Sequence, residues 1–245
     1  GVVETHTVAG LTVEVLPSKT DVAESVAYYF PQKKLLVSNA LGLGTVFNLY
    51  TLRGDWYRDP MNFVDAADLA MARDIEYMVD IHGKPNIGKK SVIAGLQIAR
   101  DQMQLIHDQT YRAIALGKDA QEAAEWVYMP NREGNETYGQ VESHVKSVYG
   151  GRLGWMGNDP YDITPLSKAS FSDHIIKAMG GPEKVLKTAQ IANAKRTLEG
   201  WQWSMYLTSE LLIHDANNTE VKGTRAEAAR ALGQRTTSAN ARGFY

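Results

Sequence analysis

Cysteine is absent from this 245-residue chain. That one absence excludes disulfides, thiolate zinc sites and cysteine nucleophiles together. It fits a cytoplasmic setting, the location expected here, without deciding it. A surplus of one charge is lacking too: 26 Lys and Arg face 28 Asp and Glu, for a formal net charge of −2. Nothing therefore favours nucleic acid or an anionic membrane surface as a partner. No apolar run approaches the roughly 18 residues a membrane span needs, and no signal-peptide pattern is present. The first residue is Gly1 rather than Met, as in a processed or trimmed chain.

The common catalytic signatures are missing as well. There is no G-x-S-x-G elbow, no Walker loop and no H-E-x-x-H. The "GLG" at 42–44 is too short for a dinucleotide fingerprint. The six histidines stand at 6, 82, 107, 144, 174 and 214, none within two to four residues of another. A self-contained zinc site draws three or four closely spaced ligands, so local sequence assembles none.

What is present reads as an ordinary globular chain, 44% hydrophobic and 22% charged, long enough for one large or two modest domains. "LTVEVLP" (Leu11 to Pro17), "SVAYYFP" and "KKLLVSN" carry strand patterns. Pro60 opens a helical pattern reaching about Arg73, and "IEYMVDIHG" reads as another buried strand. Ser91 is a candidate cap for a long helix ended by Gly117, and Asp119 caps the next, which stops at Pro130. "GRLGWMGNDPYDITP" reads as a loop. Helical segments follow at about 166–179, 183–199, 201–215 and 220–232, broken at "GGP", "EG" and "DANN". The last pair places small and aromatic residues as tetratricopeptide-like helix pairs do. The division expected is an α/β half-domain over residues 1–88 and an all-helical module over 89–245 whose apolar helices suggest self-association.

Each chemical candidate has a plain structural reading beside it. His82 ends a buried strand and enters "HGKPNIG", where ligands converge in α/β sheets; a satisfied loop histidine is the alternative. Asp21 in "SKTDVAE" suits a turn or cap. Arg100 lies mid-helix, where exposure is the default. Tyr138 and His144 are six residues apart, too far for one helical face at i+3 or i+4. His107 and Asp108 suit helix packing better than a catalytic pair.

Longer strings are more specific. "YYFPQKKLLVSNA", "NLYTLRG", "HGKP", "IHDQTYR", "HVKSVY" and "LGW-x-GNDP", in that order, closely resemble the alkylsulfatase family, zinc-dependent sulfate-ester hydrolases of the metallo-β-lactamase superfamily. The resemblance runs from about Leu11 to Tyr245. It implies that residues 11–88 are the second half of an αββα metallo-β-lactamase sandwich, followed by a helical, tetratricopeptide-like dimerisation domain. The family's first-half motif H-x-H-x-D-H does not occur in this chain. Of the family's ligands further on, a glutamate matches Asp21, another falls on Ala40 and is lost, and a histidine matches His82. The H-T-L-H ahead of "NLYTLRG" reads Gly44-Thr45-Val46-Phe47 here, so the histidine taken as general acid is Phe47. A sulfate-engaging arginine resembles Arg100, and a pocket tyrosine resembles Tyr138.

The resemblance thus implies a partial metal site, Asp21 and His82, with the remaining ligands to a divalent metal, zinc in this family, coming from a partner chain. That chain would carry H-x-H-x-D-H and the first half of the sandwich. The expected activity is hydrolysis of a small activated ester or aryl ether by the complex, the chain alone being inactive. The second subunit of a split aryl-ether hydrolase of the dinitroanisole O-demethylase kind fits. A scaffold subunit with a decayed site, and a fragment of a larger hydrolase, are the alternatives. Fragmentation alone does not explain Ala40 or Phe47.

Overall fold

Ala9 and Gly10 take left-handed backbone angles, φ 50° and 79°. They turn the chain between β1 (Glu4–Val8) and β2 (Leu11–Pro17), pairing Val8 with Leu11, as two-residue hairpins require. This is a computed structural model, and it describes residues 2–245. β1 escapes the sequence reading because it is exposed along its whole length and carries no apolar alternation.

The sheet has six strands in sequence order, continuing with β3 (Val26–Phe30), β4 (Leu35–Ser38), β5 (Tyr77–Asp80) and β6 (Asn86–Ile87). All neighbours are antiparallel except β4 and β5, which run parallel. A parallel pair needs a crossover, and α1 (Pro60–Met71) supplies it. Pro60 fills the first helical position and the Asp59 carboxylate accepts from Met61 N–H, so α1 is capped as its sequence suggests.

α2 (Lys89–Ala115) starts two residues before Ser91. Gly88, at φ 96°, turns the chain into it, and Ser91 Oγ instead donates to Asn86 Oδ1 at 2.7 Å. One sheet face packs on these two helices. Leu16, Ala27, Tyr29, Leu36 and Met78 from the strands share a core with Ala66, Ala67 and Ala70 of α1 and with Val92 and Leu96 of α2. The opposite face is apolar and bare. Val15, Tyr28, Val37 and Val79 lie across from one another on successive strands, as do Leu35, Tyr77 and Ile87. Tyr28, Tyr77, Val79 and Ile87 are 40 to 67% exposed there. A sheet with helices on one face and an apolar second face is suited to packing against a further layer, as in a four-layer sandwich.

A second core joins the loop after β4 to α2, α3 (Ala120–Trp126) and α5 (Val141–Leu153), with Phe47, Leu49, Phe63, Ile106, Val127, Val145 and Val148 buried together. A short α4 (Arg132–Asn135) lies between α3 and α5. α5 includes Gly151, the glycine that opens the segment read as loop in sequence. A methyl on Gly151 would overlap the Tyr57 ring, so the close approach requires glycine.

The chain divides into compact units at residues 1–158 and 159–245, elsewhere than the 88/89 division drawn from sequence. The reason is α2: its Val92 and Leu96 belong to the sheet's core and its Met103 and Ile106 to the second core, which ties both to one unit.

In the second unit α6 (Lys168–Ala178), α7 (Pro182–Ala194), α8 (Leu198–His214), α9 (Thr219–Arg235) and α10 (Ala239–Arg242) follow in order. α7 packs on α8 and α8 on α9 around Val185, Ala189, Leu207, Leu211 and Val221. The break between α7 and α8 lies at 195–197, not at "EG". Arg196 takes φ 52° to end one helix, and Thr197 Oγ1 caps the next by accepting from Gly200 N–H at 3.1 Å. Gly200 sits against the Ala192 carbonyl, where a methyl would overlap it.

Candidate functional site

The parallel pair β4–β5 has its carboxyl ends side by side, the position where α/β sheets gather ligands. Asp80, the last residue of β5, organises the loop leaving β4. Its carboxylate accepts from Ser38 Oγ (2.8 Å), Ala40 N–H (2.9 Å), Leu41 N–H (2.8 Å) and His82 N–H (3.2 Å). Ala40 takes φ 59° to make this bond and is buried, so the position offers only a backbone amide.

Beyond that loop is an open cleft of about 400 Å³ whose walls include Asp21, Thr45, Phe47, Arg53, Arg58, His82 and Tyr138. Three of the four residues singled out from sequence therefore meet, from segments more than fifty residues apart in the chain. His82 lies over the Phe47 ring, with centroids 6.3 Å apart and planes at 28°. Arg100 does not line this cleft. It borders a small neighbouring cavity with Ala40, Leu43 and Phe47, and its guanidinium holds Asp68 and Asp101, each at 3.0 Å.

Asp21 faces Arg58. The Arg58 side chain, 11% exposed, donates through Nε to the Asp21 carbonyl (2.7 Å), through Nη1 to the Asn48 carbonyl (2.7 Å), and through Nη2 to Asp21 Oδ1 and Asp55 Oδ2 (both 2.8 Å). It also stands 5.8 Å from the centre of the Phe47 ring. One guanidinium thus ties together the loops at 18–25, 47–51 and 55–58.

Asp21 and His82 do not by themselves fit a metal ion. The Asp21 carboxylate is already engaged by a guanidinium, and among the described residues no three His, Cys, Asp or Glu side chains gather as a ligand set. Three protein ligands are the usual minimum for a catalytic zinc.

Arg53 is the open cation of the cleft. It stands at the tip of a turn closed by Gly54 N–H donating to the Thr51 carbonyl at 2.8 Å, with Gly54 at φ 104°. It is exposed and enters no ion pair among the described residues. The sequence reading passes over Arg53 and Arg58, although both fall in or beside "NLYTLRG". The ion-pairing partners of Arg58 are up to 37 residues away, which no local pattern announces.

Behind the cleft wall His144 of α5 is fully buried. Its Nε2 accepts from Leu49 N–H at 3.1 Å. Burial first, and then the nearby Arg58 charge, lower its pKa to about 3 from the ordinary 6.5. The ring is neutral at physiological pH, with its proton on Nδ1.

A family model described as alkyl sulfatase dimerisation matches residues 121–245. A linear primary-alkylsulfatase of Pseudomonas sp. (strain ATCC 19151) is 33% identical over 98% of this chain and 46% of its own length. A second linear primary-alkylsulfatase, also of Pseudomonas sp., is 30% identical over 99% of this chain and 37% of that protein. The solved structure of Pisa1, a stereoselective inverting sec-alkylsulfatase from Pseudomonas sp., superposes with a TM-score of 0.90 at 24% identity, over 98% of this chain and 39% of that one. That last likeness is one of fold. The chain spans less than half the length of these relatives. With just over half of its residues matched by the family model, the chain belongs to the alkyl sulfatase dimerisation family.

Proposed function

We propose that this chain is the second half of the α/β domain, together with the dimerisation module, of a hydrolase acting on sulfate esters or activated aryl ethers. The first half of the sandwich, carried by a partner chain, covers the bare sheet face and brings the H-x-H-x-D-H metal motif. The observation that carries this reading is the convergence of Asp21, His82 and Tyr138 on one cleft at the carboxyl ends of β4 and β5. The bare apolar face supports it: Val15, Tyr28, Val37 and Val79 form a continuous stripe that needs covering.

Within this reading Arg53 receives the substrate's anionic or nitro-substituted end, because it is the cleft cation without an internal carboxylate. Arg58 keeps its charge for Asp21 and Asp55 and shapes the wall. The exposed His82 ring, backed by Phe47, offers a flat surface to an aromatic group. Phe47 carries no proton to give a departing oxygen. The substrate is therefore one whose leaving group is already stable as an anion, such as a nitrophenolate. The divalent metal, zinc in this reading, is held by the partner's ligands, with His82 the residue of this chain free to approach it.

A scaffold role is the second reading, and the Asp21–Arg58 ion pair favours it, since it occupies the carboxylate that a shared metal would need. Purifying the chain with and without a partner bearing H-x-H-x-D-H, then measuring bound metal and turnover of 4-nitrophenyl sulfate and a nitroanisole, separates the two. The pair is expected to bind metal and turn over, and the chain alone to do neither. Activity of the isolated chain overturns the split site. A metal-loaded, active pair in which H82A and R53A change nothing establishes the scaffold.

A further inference from the structure

We propose that His144 is a positioning residue, the pin that sets Phe47 and Tyr138 at their places in the cleft wall; this rests on the reading that the cleft receives the substrate. Three segments meet at its ring. Leu49 N–H, two residues past Phe47, donates to Nε2 at 3.1 Å. Gly139, next to Tyr138, lies so close that a methyl there would stand 2.5 Å from Cε1, 2.7 Å from Nε2 and 3.1 Å from the Phe47 carbonyl oxygen. His144 itself is on α5, fixed in the second core between Val141 and Val145. The 47–49 loop and the 138–139 loop thus abut one imidazole, and their spacing follows from its width.

The chemistry explains why the residue is a histidine. An aliphatic side chain would leave Leu49 N–H without a partner inside a dry core. A protonated imidazole could not accept from it at all. The other nitrogen has no partner among the described residues. Histidines that relay protons or hold metals have that second nitrogen oriented by a carboxylate or carbonyl. His144 lacks such a partner, so its role is to place its neighbours, not to move protons.

The test uses the intact protein with 15N-labelled histidine, and 4-nitrobenzenesulfonate as a non-hydrolysable aryl probe. The His144 imidazole is expected as the neutral Nδ1–H tautomer at pH 5, with Leu49 N–H coupled to Nε2. An Nε2–H tautomer overturns the proposal outright. H144L is expected to weaken probe binding at least fivefold while H144Q, whose amide oxygen reaches the Nε2 position, stays within twofold of wild type. H144L should lose more Tm than H144Q, because only it leaves the Leu49 amide without an acceptor. Equal affinity in H144L and wild type means a purely structural histidine and defeats the idea. Should H144L not fold, G139A applies the same displacement through its methyl and carries the same fivefold expectation. If the wild type binds no probe, the cleft reading fails separately. The Phe47 and Tyr138 ring resonances then decide on His144: they should shift in H144L and hold in H144Q, and unmoved resonances in H144L refute the pin.

Discussion

The Arg58 guanidinium and the Asp21 carboxylate meet at 2.8 Å, 37 residues apart in sequence, and the same nitrogen reaches Asp55 at 2.8 Å. This relationship decides what the cleft can do, because it converts a candidate metal ligand into a structural anion and leaves Arg53 as the open cation.

Removing Arg58 should therefore expose a conflict between Asp21 and Asp55. R58M is expected to destabilise the protein by about 2 to 4 kcal/mol, since two partly buried carboxylates lose their counter-charge. D21N in that background should recover part of the loss. A double-mutant cycle by urea unfolding measures the coupling, expected at roughly 1 to 3 kcal/mol; a value near zero would show that the pair contributes nothing.

Arg53 and Arg100 are expected to separate by function. R53A should weaken aryl sulfonate binding about tenfold or more, the scale of one lost charge-assisted hydrogen bond. R100A should leave it unchanged, because its guanidinium is held by Asp68 and Asp101. Its removal should leave stability nearly unchanged, as for exposed ion pairs. Titration calorimetry on both variants checks the assignment, and the reverse pattern would restore Arg100 to the site.

Stability should carry a histidine signature on the acid side. The folded pKa of His144 lies at about 3, below its ordinary 6.5. Between those values the unfolded chain binds one more proton than the folded one. The contribution of His144 is thus complete above pH 6.5 and is lost as pH falls toward 3, with a limiting slope of about 1.4 kcal/mol per pH unit. Urea unfolding at pH 7 and pH 5 measures it. H144Q should lose stability less steeply with acid than wild type, and identical slopes would contradict a neutral buried ring.

Asp80 should prove a structural acid. Its carboxylate accepts from Ser38 Oγ and from the amides of Ala40, Leu41 and His82. An amide side chain has one acceptor oxygen and an N–H₂ group that opposes those donors. D80N is expected to cost about 2 kcal/mol and to loosen the 40–44 loop. Hydrogen exchange at the Ala40 and Leu41 amides reads that directly, and unchanged protection would refute it.

Much of the architecture is legible in the sequence where local rules act alone. Pro60 after Asp59 opens α1 because proline's missing N–H is harmless there and the aspartate caps the first turn. The strand patterns from Leu11 to Ser38 survive because alternating residues face one core. Local rules misplace the α7–α8 break, since Gly200 resembles a helix breaker in sequence. In the folded chain it is the residue small enough to lie against the Ala192 carbonyl. They also miss α5, whose Gly151 is there for the Tyr57 ring.

The sequence by itself determined the four inner strands of the sheet, most of the helices, and the family through strings such as "NLYTLRG". The resemblance also led to the expectation that Ala40 and Phe47 stand where that family has a carboxylate and an imidazole. Only the tertiary structure decided which side chains share a cleft, that Asp21 is spent on Arg58, and that Arg100 turns away to Asp68 and Asp101. The physical reason is distance along the chain. Helix caps and strand alternation act over a few residues. A guanidinium chooses among carboxylates that only folding brings within 3 Å of it.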